Sequence, residues 1–505
     1  MKPHGATAHG PVRARRPGAR HTLALAAAIA VAGTLTAPVA AAAPGDGTRQ
    51  GSTARPAAQP EDFDGDGLRD VAVTAPRAWA GGSYRAGYVA VLYGSRSGPL
   101  TGHRQILHQD IDGIAGAAEP YDWFGTSVTS ADLDSDGYTD LLVGAAREDI
   151  RQTRDAGALY VVWGSPQGLA GSAVLRDGTT EGGELGDQVV AGDFDGDGDQ
   201  DVASVEADEV RVLSGPFTRT GAATSAATVP GVPDTEIRDL AAGDVDGDGR
   251  TDIAATWYGN GDVDAAGTTG LLLGTAQGPG PMTAVGTERQ GGDNVEIGDI
   301  DRDGYGDLVI GRSLDGNEGA PTIPTAKGGM VTFVPGSARG PVLARTRSLD
   351  QDSPGVPGTA EWGDAFGRGL SVGDTDGDRY PDVSVGVPGE DIGPVKDAGS
   401  VVVLRGTRNG PTGAGAMSVG QDTRGVPGTA ERGDGFGSAT DLTDTDGDGR
   451  AGLIASAVYE NAGNGSVWVL RSTAAGITPS GAYTFGAGTL GMRAAGAWLG
   501  RTVND

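Results

Sequence analysis

The sequence predicts an all-β fold: a seven-bladed β-propeller of four-stranded antiparallel blades, closed by pairing of the C-terminal strand with the first blade. Three observations predict it. A nine-residue acidic motif, Asp-x-Asp-x-Asp-Gly-x-x-Asp, recurs seven times; a glycine-bounded apolar run follows each copy; and the last residues supply a segment that the first copy lacks. The copies start 70, 61, 51, 55, 75 and 70 residues apart. Such a period belongs to repeat architectures, in which one unit cannot bury its apolar faces without its neighbours.

The chain opens with Lys2, Arg13, Arg15, Arg16 and Arg20 ahead of an apolar run from Thr22 to Thr34 and the Ala-rich stretch Val39 to Ala43. This pattern reads as a secretory signal peptide over residues 1–42, with cleavage near Ala42. A transmembrane anchor fits less well, because the run is short and ends at Pro38. Arg15-Arg16 hints at twin-arginine export, but Pro17 follows and the general secretory route is preferred. Residues 43–60 read as a polar, flexible linker. Residues 61–505 form the propeller, with 497–505 completing the first blade.

The acidic copies supply the candidate metal ligands. They are Asp62, Asp64, Asp66 and Asp70; Asp132, Asp134, Asp136 and Asp140; Asp193, Asp195, Asp197 and Asp201; Asp244, Asp246, Asp248 and Asp252; Asp299, Asp301, Asp303 and Asp307; Asp374, Asp376, Asp378 and Asp382; and Asp444, Asp446 and Asp448. Each pair of carboxylates at about 4 Å costs roughly 1 kcal/mol in bulk water and about 4 at a surface-like dielectric. A cation is therefore expected among them. Hard oxygen ligands on a flexible loop select Ca²⁺, and glycine at position six gives the turn that lets the carbonyl at position seven join them. Solvated acidic turns would explain one copy but not seven at the same internal spacing. The sixth copy has Arg379 in place of glycine and the seventh has Gly452 in place of its last Asp, so five strong and two degenerate sites are expected.

Each copy leads into a strand-like run, such as Leu141-Leu142-Val143, and then a second one, such as GALYVVWGS from Gly157 to Ser165. These runs are short and flanked by Gly or Pro, so strand is favoured over helix. A strand before the loop, clearest in Ser127 to Leu133, and a weaker one after the second run bring each unit to four. An aromatic or Leu followed by Gly stands eight residues before the first Asp in Phe124-Gly125, Leu185-Gly186, Phe366-Gly367 and Phe436-Gly437. Core packing and a tight turn explain the mark. Leu499-Gly500 repeats it with no acidic loop behind, while the loop at Asp62 has no strand in front. Trp498 to Asn504 is thus expected to form the inner strand of the first blade, leaving no free sheet edge.

WFGTSVTSADLDSDGYTDLLVGAARED and AFGRGLSVGDTDGDRYPDVSVGVPGED resemble FG-GAP repeats, the units of the integrin α-subunit propeller, and the likeness covers nearly all of the mature chain. The resemblance implies Ca²⁺ on the Asp residues of each matching loop and partners engaged on the opposite face. An EF-hand is excluded, since position twelve is Val73, Val143, Ser204, Ala255, Ile310, Val385 or Ala455, never Glu.

Removing the leader's five cations and no acids takes the formal charge from −29 to −34, and seven Ca²⁺ would return it to −20. Nucleic acid is excluded as a partner. With no cysteines, cross-bracing must come from metal and ring closure. The expected function is that of a secreted, monomeric, extracellular binding or adhesion scaffold for a protein or glycan ligand. Arg147 to Asp155 and Gly389 to Asp397 are candidate contact loops. The alternative is a hydrolase, because FG-GAP repeats also occur beside the catalytic domain of glycosylphosphatidylinositol phospholipase D. Against it, seven blades leave no chain for such a domain. His103 and His108 are the only histidines after the leader, and no Gly-x-Ser-x-Gly elbow accompanies them.

Overall fold

In the computed structural model the residues described are 58–232, 235–259, 267–287, 290–313 and 327–504. The expected signal peptide and nearly all of the expected linker lie outside them. Six four-stranded antiparallel sheets and one three-stranded sheet follow one another along the chain, each built in sequence order. The second blade shows the plan, with strands Phe124–Ala131, Asp140–Ala145, Ala158–Val162 and Ser172–Asp177. The outermost strands of the fourth and fifth blades are the shortest, Thr283–Ala284 and Arg347–Leu349.

The strand after each acidic loop is apolar on both sides because each sheet is covered on both faces. All five residues of Val71–Ala75 are buried. Val71, Val73 and Ala75 pack toward the seventh blade, whereas Ala72 packs toward the second, as the two-residue period of a strand requires. Among the described residues seven apolar clusters form, one between each pair of neighbouring blades. The one joining blades seven and one contains Leu499 and Val503.

The three-stranded sheet is the first blade, Val71–Ala75, Tyr88–Leu92 and Arg104–Leu107. The C-terminal segment completes it over a shorter span than Trp498 to Asn504. Val503 bridges Val73, Thr74 donates to the Thr502 carbonyl at 3.1 Å, and Gly500 donates to the Thr74 carbonyl at 2.9 Å. Trp498 has φ 55° and points the chain into a turn, so pairing starts only at Gly500.

The aromatic-Gly mark does more than fill the core. Phe124, Leu185, Phe366, Phe436 and Leu499 are buried, and each donates its N–H to the preceding blade just before that blade's third strand, as Phe436 does to the Ala398 carbonyl at 2.9 Å. Opposite them lie Gly87, Gly157, Gly329, Gly399 and Gly465, where an added Cβ would meet the mark's backbone at 2.2–2.3 Å. Glycine is required there by close approach of two backbones. Leu499 takes this place against Gly465, although its blade lies at the other end of the chain.

Candidate metal loops

Antiparallel pairing puts every acidic loop at the same end of the propeller, where each enters the second strand of its blade. Four carboxylates divide the work. The first Asp organises the turn: Asp132 Oδ1 accepts from the Asp136 N–H at 3.1 Å and Oδ2 from the Gly137 N–H at 2.9 Å. Asp136 in turn accepts from Tyr138 at 3.0 Å. These bonds hold the loop in shape without consuming every lone pair. In the first five loops the carboxylates at positions one, three and five each place an oxygen within 4.8 Å of the others. An ion with bonds of about 2.4 Å spans that separation.

A further observation favours a cation. Oδ1 of Asp134, Asp246, Asp299 and Asp301 is buried and accepts no hydrogen bond from the protein. A buried acceptor without a donor is costly, and a hard cation satisfies it. The donor set therefore fits Ca²⁺.

The ninth Asp is set apart by burial. Its two oxygens clamp the loop to the sheet: Asp140 Oδ2 accepts from Leu133 at 2.9 Å and Oδ1 from Gly164 at 2.8 Å. The same pair of bonds recurs at Asp70, Asp201, Asp252, Asp307 and Asp382. Burial pushes Asp70 and Asp140 up to about 8 and Asp307 to about 7, against the lowering effect of these N–H donors, and the loop's other carboxylates add to the rise. A divalent ion held in the loop would supply the opposite charge needed to keep them ionised.

The two degenerate loops differ in a way that the nine-residue motif alone did not reveal. Arg379 adopts φ 78° and its N–H donates to Asp374 Oδ2 at 2.8 Å, so the turn survives with a strained residue. Arg405, from the third strand of the same blade, places Nη1 3.1 Å from Asp376 and 3.0 Å from Asp382. Arg471 holds the equivalent place in the seventh blade, 3.8 Å from Asp446. The other blades have Tyr93, Trp163, Ser214, Leu273 and Pro335 there. Arginines also reach other loops, Arg219 onto Asp134 and Asp136 and Arg345 onto Asp301. Those are surface arms, 47% and 51% exposed, whereas Arg405 is 15% exposed and built into its sheet. The readable signal was an Arg closing the second apolar run in the same two blades whose loops are degenerate.

His103 and His108 do not form a site together. They flank the strand Arg104–Leu107, which puts them at opposite ends of the propeller; His103 stacks on Tyr93 with centroids 4.7 Å apart. Among the described residues no helix is long and apolar enough to cross a membrane.

Residues 56–92, 124–162 and 366–404 match the FG-GAP repeat, and residues 193–255 match the FG-GAP-like repeat. The chain is 31% identical over 158 residues to phosphatidylinositol-glycan-specific phospholipase D of Rattus norvegicus, covering 31% of this chain and 18% of that protein. It is 33% identical over 224 residues to integrin alpha-PS2 of Drosophila melanogaster, covering 41% of this chain and 15% of that one. A solved exotype rhamnogalacturonan lyase aligns with TM-score 0.40 and 15% identity, over 84% of this chain and 72% of that one. The chain thus spans a small part of the curated relatives it matches. With its hairpin loops, its inter-blade marks and these repeat matches in register with them, the chain carries FG-GAP repeats in an integrin-like β-propeller.

Proposed function

We propose that the protein is a secreted, calcium-stabilised propeller acting as a non-catalytic extracellular binding scaffold. The observation that carries this reading is the division of the two ends. One end gathers the acidic loops with their unsatisfied oxygens, and the other carries the long connections, including 147–155 and 389–397, free for a partner. Five loops hold Ca²⁺; Arg405 serves as the resident cation of the sixth, and the seventh lacks its ninth carboxylate, with the 41% exposed Arg471 at 3.8 Å from Asp446. The separation of His103 from His108 supports a non-catalytic role.

Calorimetric titration of the chelated protein should give close to five Ca²⁺ per chain, with dissociation constants of about 10⁻⁴ to 10⁻³ M. With calcium at ten times its dissociation constant, each site adds about 1.4 kcal/mol, so chelation must lower the melting temperature. An unchanged melting temperature overturns the calcium reading. Turnover of glycosylphosphatidylinositol or ester substrates by the purified chain overturns the non-catalytic one.

A further inference from the structure

The end of the propeller opposite the acidic loops carries, where blades seven, one and two meet, a cluster of arginines and aromatic rings that the metal chemistry does not use. Arg77 lies between two indoles, 3.5 Å from the ring centroid of Trp498 and 4.7 Å from that of Trp123. Arg147 lies 4.2 Å from Trp123. Beside them Arg85 sits 5.1 Å from Tyr84 and 5.8 Å from Tyr121, two rings that meet edge to face at 5.3 Å and 89°. Tyr121 is 50% exposed. The seam is thus walled by rings from three blades, Trp498 being delivered by the closing segment itself.

Charge is what sets this rim apart. The whole chain carries a formal charge of −29, yet here Arg85, Arg147 and Arg501 all repel Arg77, which burial and these neighbours together hold below the usual arginine range. Arg77 makes no ion pair among the described residues; Glu184 lies 3.0 Å from Arg147, and the half-buried Asp187 carboxylate faces Arg501 and Arg147. Nε of Arg77, Nε of Arg147 and Nε1 of Trp123 are buried and donate no hydrogen bond. Immediately around Arg77, donors therefore exceed acceptors. In the central channel below, by contrast, Arg368 faces Asp293 at 3.7 Å, so the surplus is local to the rim. Cation–π stacking steadies such a cluster by only about 0.5–2 kcal/mol per contact and does not neutralise it.

We propose that this rim binds a carboxylate-bearing pyranose at the end of a glycan, with the carboxylate on the guanidinium edges of Arg77 and Arg147 and the sugar face on Tyr121. The inference rests on the scaffold reading and adds the ligand class. Guanidinium groups match a carboxylate in a bidentate manner, and rigid rings give contact area at low entropic cost. A single terminal anion suits the site better than a long polyanion. Beyond a screening length of about 10 Å, a polyanion would run onto the acidic remainder of the surface.

The test is calorimetry on the calcium-loaded full chain with four probes: digalacturonate, the methyl glycoside of N-acetylneuraminate, neutral galactobiose and inorganic phosphate. At least one acidic sugar should bind about tenfold or more tighter than galactobiose and phosphate, and Arg77→Met and Tyr121→Ala should each weaken it by about tenfold. Tyr121 is half exposed, so its variant keeps the test open if Arg77→Met fails to fold. Equal binding of galactobiose, equal binding of phosphate, or affinity unchanged in Tyr121→Ala overturns the proposal. Binding of none of the probes overturns the ligand class and leaves the scaffold standing. Conversion of any probe to product overturns the scaffold itself.

Discussion

The side-chain amide of Asn504 takes a backbone's place beside Ala72, 432 positions away: its Oδ1 accepts from the Ala72 N–H at 2.6 Å. Its Nδ2 donates to the Asp70 carbonyl at 3.1 Å and to Asp441 at 3.0 Å, and its own N–H donates to the Ala72 carbonyl at 3.2 Å. One residue therefore ties the end of the chain to the first blade and to the seventh. Asn504→Ala should cost roughly 2–3 kcal/mol, measured by urea denaturation. Deleting 497–505 should do more, exposing the edge of Val71–Ala75 and producing aggregates in size-exclusion chromatography. A truncated chain that stays monomeric and melts normally would show that this segment does not close the ring.

Glycines at the blade junctions allow steric crowding to be separated from backbone strain. Gly399 and Gly363 both have left-handed φ, 85° and 94°. An added Cβ at Gly399 meets the Phe436 carbonyl oxygen at 2.3 Å, whereas one at Gly363 meets nothing within 4 Å. Gly363→Ala should cost about 1–2 kcal/mol, the penalty of the left-handed conformation alone. Gly399→Ala adds a backbone clash between blades and should cost roughly 3 kcal/mol or more. Equal unfolding midpoints for the two variants would refute close blade contact at Gly399.

The residues that were legible in the sequence are those whose neighbours are local. Asp132 to Asp140 carries its own turn chemistry within nine positions, and the same is true of every copy, so the loops and the strands after them could be placed. Leu499 was legible because its mark repeats, even though Gly465 as its partner was not. The clamp made by Asp140 on Gly164 was hidden because the motif places the ninth Asp among the ligands and gives no sign of its burial. Arg405 was harder to read for a different reason: it meets Asp382 only after the third strand folds back, so its one signal was the comparison between blades, an Arg closing the second apolar run in the two whose loops are degenerate. The rim at Arg77 joins segments from residues 77, 123, 147 and 498, a convergence created by ring closure.

Glu148 gives the fold a pH dependence apart from calcium. Burial, with repulsion from Asp122 and Glu119, pushes its carboxyl from 4.5 up to about 7, although Gln109 donates to it at 2.7 Å. The folded chain then keeps a proton that the unfolded chain has lost. Its contribution is full below about pH 4.5 and is lost as pH rises through 7. Glu148→Gln keeps an acceptor for Gln109 without the charge. At saturating calcium the variant should match the parent near pH 4.5 and exceed it by roughly 2 kcal/mol at pH 8. A difference independent of pH would exclude Glu148 as the titrating group.

On the proposed calcium reading, Arg405 sets whether the sixth loop takes an ion. Its guanidinium lies between Asp376 and Asp382, the third and ninth positions of the sixth loop, and it also donates to the Ala475 carbonyl at 2.7 Å. A fixed cation there competes directly with Ca²⁺, because both need the same carboxylate oxygens. Arg405→Met keeps most of the side-chain volume and removes the charge. Without calcium the variant should lose roughly 3 kcal/mol, since Asp382 is left buried with no cation. With calcium most of that loss should return, and the titration should show one more ion than in the parent. The Asp246→Asn variant, in a loop with no resident arginine of this kind, should show one fewer. If Arg405→Met binds the same number of ions as the parent, the sixth loop is either filled beside the arginine or unable to hold calcium at all, and in both cases the guanidinium is not the ion's substitute.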